Sequence, residues 1–139
     1  MTRLLLAALL GSAIVVGCRR DTGRADARAI VRAYESFQGA SATDRAAALR
    51  ALESAQCDDA LACADRDACS KYGKHLLRAQ QLVQKARELG PEDAGGNGAA
   101  TESELAIIVA GADDASREAS AAEPPCRAAL ERLYTRARR

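Results

Sequence analysis

Three of the five cysteines follow one another at intervals of six residues, at Cys57, Cys63 and Cys69, and no other feature of the sequence restricts the fold as strongly. On one continuous α-helix, a step of six residues turns the side chain through about 240° and raises it by about 9 Å. A disulfide needs Cα atoms about 4.4 to 6.8 Å apart, so no two of these cysteines can be joined within one helix. If they and Cys126 form two internal disulfides, two of the three must pair with each other, and the chain must bend between them.

The bend has to form without the residues that usually make one. Neither glycine nor proline occurs between Gly39 and Gly73. Asp58, Asp59 and Asp65 can supply the turn or helix-cap hydrogen bonds instead, because short acidic side chains accept from nearby backbone N–H groups.

Three connectivities are open to the four cysteines. We favour Cys57 with Cys63 and Cys69 with Cys126, because Cys69 and Cys126 each fall on the apolar stripe of a predicted helix. A Cys69–Cys126 disulfide would close a loop of about 57 residues and contribute roughly 4 kcal/mol in the chain-entropy account of disulfide stabilisation.

The N-terminal segment is typical of an export signal. Arg3 gives a short positively charged start, and residues 4–16 carry no charge and are mostly apolar. This run is too short for a membrane-spanning helix, which needs about 20 apolar residues. A cleaved signal peptide is therefore predicted.

The next step, Val15-Val16-Gly17-Cys18, resembles the lipobox of bacterial lipoproteins. The resemblance implies that residues 1–17 are a lipoprotein signal peptide, that Cys18 is lipidated and holds the protein to a membrane, and that residues 18–24 form a polar lipidated tether. It covers only this segment, and the mature domain carries no recognised family motif.

In many Gram-negative lipoproteins an aspartate after the lipidated cysteine favours the inner membrane. Arg19 stands there, so the resemblance implies the outer membrane, facing the periplasm, if the source is Gram-negative.

An ordinary signal peptide cut after Ala13 is the alternative, and it would leave Cys18 as a plain thiol. Cysteine parity favours lipidation. Five cysteines in an exported chain leave one unpaired, whereas lipid on Cys18 leaves an even four. Two or three acyl chains also anchor a protein durably where one chain does not.

Apolar residues repeat at spacings of three and four through most of the mature chain, the pattern of helices that bury one face. A first helix is predicted from Ala25 to about Gly39, a short second helix after Thr43 as its N-cap, and a long third helix that ends at Gly90-Pro91. Their predicted inner faces are Ala27, Ile30, Val31, Tyr34 and Phe37; Ala48, Leu49, Leu52 and Ala55; and Cys69, Tyr72, Leu76, Ala79, Leu82, Val83, Ala86 and Leu89.

Residues 90–100 hold four glycines and one proline, which predicts a flexible linker. Thr101 with Glu104 then forms a capping box that opens a further helix. Pro124-Pro125 is predicted to break the chain and to begin a last helix, since proline is tolerated in a first turn. The predicted inner faces of this half are Leu105, Ile108, Val109, Ala112 and Ala119, and then Cys126, Ala129, Leu130, Leu133 and Ala137.

Composition favours closely packed helices over a fold with a large cavity. The 33 alanines supply about half of the 48% hydrophobic fraction, and each small side chain removes little area from water. No window alternates with a period of two, so strands are not expected. We predict a small all-α bundle of four to five helices, stapled by disulfides, over residues 25–139.

No catalytic or metal-binding constellation stands out in the sequence. His75 is the only histidine, and the cysteine spacing does not provide the close pairs that zinc sites use. Asp65-Arg66-Asp67 resembles the opening of a calcium loop, but Cys69 and Ser70 occupy positions that such a loop needs for a ligand and a glycine. No enzyme activity, metal or cofactor is therefore predicted.

The C-terminal run of Arg132, Arg136, Arg138 and Arg139 places positive charge at a helix end, where the helix dipole favours it. The alternative is contact with an anionic surface, either lipid headgroups or a partner. The net charge of only +1, together with the predicted location, argues against nucleic acid as a partner.

These features predict a lipid-anchored protein of the cell envelope with a non-enzymatic structural or protein-interaction role, whose partner is another envelope protein. The alternative is a periplasmic lipoprotein that binds a small ligand between helices, near Tyr34, Tyr72 and Tyr134. A well-formed apolar pocket would favour the ligand, and an exposed apolar patch would favour the protein partner.

Overall fold

The computed structural model describes residues 19–89 and 102–139. These ranges contain four helices and no strand, namely α1 (Arg19–Gly39), α2 (Arg45–Glu53), α3 (Ala60–Glu88) and α4 (Glu102–Arg138). The predicted all-α, disulfide-stapled bundle is confirmed, with four helices rather than five. The predicted signal peptide, Cys18, the linker at 90–100 and Thr101 of the capping box lie outside the described residues.

Helix α1 begins at Arg19, so residues 19–24, predicted as a polar tether, are helical. Their contacts with the chain before α3 explain the difference. A Cβ atom at Gly23 would lie 3.6 Å from Asp59 Cγ, so α1 passes close to the start of α3. One turn later, the buried Asp26 carboxylate accepts the backbone N–H groups of Asp58 and Asp59 at 2.6 and 2.8 Å. These contacts stabilise a stretch whose own side chains are too polar to reveal a helix.

Helix α2 begins after Asp44, and the prediction of Thr43 as its N-cap is wrong. The N-cap is Asp44, whose side chain caps no backbone N–H group, and Ser41 holds the preceding turn. Its Oγ accepts the Asp44 N–H at 3.3 Å, and its carbonyl accepts the N–H groups of Asp44 and Arg45 at 3.1 and 2.9 Å. Thr43 contributes only a side-chain hydrogen bond to Ser41, with 2.8 Å between the two hydroxyl oxygens.

Helix α4 continues through Pro124 and Pro125, so the predicted break between two helices is wrong. Each proline lacks the N–H that would bond the carbonyl four residues earlier, at Ser120 and Ala121. All four residues are exposed, so water can satisfy the freed carbonyls. The next residue, Cys126, is bonded to α3, which holds the helix on its course past the prolines.

Helices α3 and α4 form an antiparallel hairpin, and α1 and α2 pack against part of its length. The direction follows from the Cys69–Cys126 disulfide and from side-chain contacts that join Asp65 to Arg132 and His75 to Glu118. Helix α1 reaches the end of α4, where Arg28 Nε donates to the Ala137 carbonyl at 3.1 Å. The largest fully buried side chains are Phe37, Ile30, Leu52, Leu133, Cys69 and Cys126.

The shared core extends along α3 to Leu77 and along α4 from Cys126. Beyond it, residues 79–89 and 102–115 form a two-helix extension of the hairpin, here called the arm, with Ala79, Ala112 and Ala115 buried between its helices. The predicted inner faces are buried or half-buried, except that Val83 and Val109 are 39% and 45% exposed. Two helices alone leave their flanks open, which accounts for both exceptions.

Gly73 lies where α3 has the least room for a side chain. A Cβ atom there would be 2.7 Å from Leu49 Cδ1 and 3.3 Å from Phe37 Cζ, whereas a Cβ atom at Gly111 would meet only Leu82 Cδ1, at 3.5 Å. Gly73→Ala is therefore expected to lower the free energy of unfolding by about 1 kcal/mol, because overpacking outweighs the gain in helix propensity. Gly111→Ala, the matched control, is expected to raise it by about 0.5 to 1 kcal/mol. Urea denaturation followed by circular dichroism measures both, and a stabilised Gly73→Ala protein would contradict this packing.

Candidate functional site

The four cysteines of the described chain form two disulfides with the favoured connectivity. Cys57 bonds Cys63 with Cα atoms 5.4 Å apart, and Cys69 bonds Cys126 with Cα atoms 4.4 Å apart. Cys57 precedes α3 and Cys63 lies in its first turn, so the chain bends between them as the spacing requires. Cys18 is the one cysteine of the sequence outside these two bonds.

Asp59 and Asp65, two of the acidic residues expected to support the bend, have different roles. Asp59 is the N-cap of α3, and its Oδ1 accepts the Ala62 N–H at 2.9 Å, as predicted. Asp65 lies inside the helix, on the side that faces α4, and takes no part in the bend. Asp26, which the sequence did not single out, anchors the bend from α1 through its bonds to Asp58 and Asp59.

Two arginines of the C-terminal run bind acidic residues of α3. Arg132 donates to Asp65 Oδ1 from Nε at 3.0 Å and from Nη2 at 2.6 Å. Arg136 Nη1 lies 3.3 Å from Asp59 Oδ1 and 3.9 Å from Asp65 Oδ2. The Asp65 side chain is only 5% exposed, and its hydrogen bond and charge raise the pKa of Arg132 above the ordinary value. The sequence spacing could have indicated this site, because Asp65 falls between Ala62 and Cys69 on one buried stripe of α3.

The other two arginines of the C-terminal run lie near Arg28 of α1 at one end of the bundle. The start of α1, the first turn of α3 and the last turn of α4 meet there. Arg28, Arg138 and Arg139 are exposed, and Leu61 is 63% exposed. We call the surface made by these four residues the basic end. The arm points to the opposite end of the hairpin.

His75 contacts an acidic side chain across the hairpin. Its Nδ1 lies 2.8 Å from Glu118 Oε2, and Arg78 approaches the same carboxylate at 4.0 Å. The pair borders an open groove of about 380 Å³ between α3 and α4 that also includes Lys71 and Pro125. Among the described residues, no group of three or more histidine, cysteine or acidic side chains could hold a metal ion.

The three tyrosines come together on α1, α3 and α4, packed against the core. Tyr34 accepts from Gln38 Nε2 at 2.7 Å, and Tyr134 donates to Glu35 Oε1 at 2.9 Å. Burial, then the nearby Tyr72, raises the pKa of Tyr34; the hydrogen bond to Glu35, then burial, raises the pKa of Tyr134. Three grooves on the described surface, of about 300, 380 and 330 Å³, have no tyrosine in their linings.

Alkaline pH is expected to destabilise the fold through Tyr34 and Tyr134. Both pKa values are raised above the ordinary 10.0, so the folded state holds these protons more tightly than the unfolded state. Their contribution is complete below that value and is lost as the pH rises through the folded-state pKa. Urea midpoints measured from about pH 9 to about pH 11 should fall, and fall less steeply in the Tyr34→Phe/Tyr134→Phe variant. Equal slopes for the two proteins would contradict the assignment.

No protein-family model, curated protein or solved structure matches the chain. No helix among the described residues is long and apolar enough to cross a membrane. The site features that bear on function are therefore the chain's own, namely the cysteine pairing, the basic end and the arm.

Proposed function

We propose that the protein is a lipid-anchored component of the bacterial cell envelope, held to a membrane by acyl chains on Cys18, with a structural or protein-interaction role rather than a catalytic one. The pairing of the other four cysteines carries the proposal. They bond to one another in two disulfides, which leaves Cys18 as the odd member of the five, directly after Val15-Val16-Gly17. Lipidation gives this odd thiol a use.

The two disulfides also support export. Structural disulfides persist in oxidising compartments such as the bacterial periplasm and are rare in the cytosol. A charged start followed by an uncharged, mostly apolar run over residues 4–16 suits a signal peptide that delivers the chain there. With Arg19 after Cys18, the proposed destination in a Gram-negative cell is the outer membrane, facing the periplasm.

Two features support an interaction role. Side chains of the types that catalyse reactions in enzymes contact each other between helices here, as in Asp65 with Arg132 and His75 with Glu118. Apolar side chains are instead exposed on the arm, where Ile107 is 72% exposed. An envelope protein is the partner that suits a small module held at a membrane.

The test is the intact mass of the protein purified from membranes in detergent, with thiols counted by alkylation before and after reduction. We expect a chain that begins at Cys18 and carries the added mass of acyl groups, with no free thiol before reduction and four after it. A Cys18→Ser variant is the control, because it keeps both disulfides and should lose the acyl mass. An unmodified chain with a reactive Cys18 would overturn the proposal.

A further inference from the structure

We propose that the basic end of the bundle lies against anionic lipid headgroups, so that the arm projects away from the membrane. This inference rests on the proposed lipid anchor at Cys18 and adds an orientation and a contact surface to it. Three observations support it independently, namely where the helix begins, which charges are exposed, and where an exposed leucine lies.

The first observation is that the chain is helical from Arg19, the first described residue and the one after Cys18. No non-helical residue separates the proposed attachment point from the bundle, so the lipid would hold this end of the domain directly at the headgroups. Helix α3 starts at the same end and runs for 29 residues before it ends at Glu88. At 1.5 Å per residue, its far end lies roughly 40 Å away.

The second observation is that three acidic groups described at this end are engaged by groups of the bundle itself. Asp26 is buried and accepts two backbone N–H groups, Asp65 is buried against Arg132, and Asp59 is paired with Arg136.

The arginines of the basic end are turned outward. Arg28, Arg138 and Arg139 are exposed, and the exposed Asp58 and Glu131, the latter in the same groove as Arg139, offset part of their charge. Outward positive charge complements the negative surface of anionic lipid, and each such residue near the surface strengthens binding.

The third observation is Leu61, which is 63% exposed in the first turn of α3. A large apolar side chain at the same end as exposed arginines suits the boundary between headgroups and acyl chains, where the leucine would enter and the guanidinium groups would bind phosphates. Ile107 on the arm is similarly exposed, at 72%, and provides a matched apolar position at the opposite end.

The experiment uses full-length protein, purified from membranes and reconstituted into phosphatidylcholine vesicles with and without phosphatidylglycerol. The photoreactive residue p-benzoylphenylalanine replaces Leu61 in one sample and Ile107 in another, and mass spectrometry measures lipid adducts after irradiation. With phosphatidylglycerol present, we expect roughly tenfold more lipid adduct at position 61 than at position 107.

Charge variants test the role of the arginines. Arg138→Gln/Arg139→Gln should reduce the adduct at position 61 by roughly fivefold or more, because two exposed charges are removed from the contact. Lys85→Gln/Arg87→Gln removes the same charge from the arm and should leave that adduct unchanged. The protein with all its arginines should show the same loss of adduct at position 61 in vesicles without phosphatidylglycerol.

The same mass spectra separate the two proposals. An acylated protein with equal adducts at the two positions, or with no response to phosphatidylglycerol, overturns the orientation and leaves the anchor standing. A protein without acyl groups overturns the anchor and, with it, the orientation that depends on it.

Discussion

Replacing Cys69 and Cys126 together with alanine is expected to lower the free energy of unfolding by about 4 kcal/mol. Their disulfide closes a loop of 57 residues and joins the two long helices of the hairpin. Without it, the unfolded chain regains the freedom that the bond removes. Both cysteines are also fully buried, at 0% and 1% exposure, so their loss additionally weakens packing. Urea denaturation followed by circular dichroism measures the change.

The Cys57→Ala/Cys63→Ala variant is the matched control. The disulfide that it removes closes a loop of only 6 residues, so the free energy of unfolding should fall by about 2 kcal/mol in the same chain-entropy account. Reduction of the wild-type protein should bring its stability down to that of a variant without either bond. A larger loss from the short loop than from the long one would contradict loop closure as the source of stability.

The helical faces were predictable because their periodicity is local. Ile30 and Phe37, Leu49 and Leu52, and Cys126 and Leu133 are buried as the spacing of three and four requires. The favoured disulfide connectivity followed from the same stripes, since Cys69 and Cys126 fall on apolar stripes of two helices that face each other.

Two of the errors occur where contacts outside the local sequence decide the outcome. The helical start of α1 depends on contacts with Asp59. The continuity of α4 depends on solvent around Pro124 and on the bond at Cys126. The error at the start of α2 is different, because the turn at Ser41 is local and the sequence offered several residues that could form it.

The candidate site was predicted in part, for the same reason. The C-terminal arginines stood out as a run, but two of them bind acidic residues more than 60 positions earlier, as in the 67-residue separation of Arg132 from Asp65. The distinction between paired and exposed arginines is what leaves Arg138 and Arg139 available at the basic end. It becomes visible only once the antiparallel register of α3 and α4 is known.

Replacing both Arg132 and Arg136 with glutamine is expected to lower the free energy of unfolding by more than replacing the exposed Arg138 and Arg139 does, because it leaves the Asp65 carboxylate buried without a cation. The Asp65 side chain is only 5% exposed, and Arg132 and Arg136 both lie within 4.0 Å of its carboxylate. Its Oδ2 accepts no hydrogen bond from the described residues. Adding Asp65→Asn to the double variant removes the buried charge and should restore roughly half of the loss.

Arg138→Gln/Arg139→Gln is the control for net charge, and since both side chains are exposed it should change stability by less than about 0.5 kcal/mol. Urea denaturation compares the four proteins with the wild type. If the triple variant were no more stable than the double variant, the loss would come from packing rather than from the buried carboxylate.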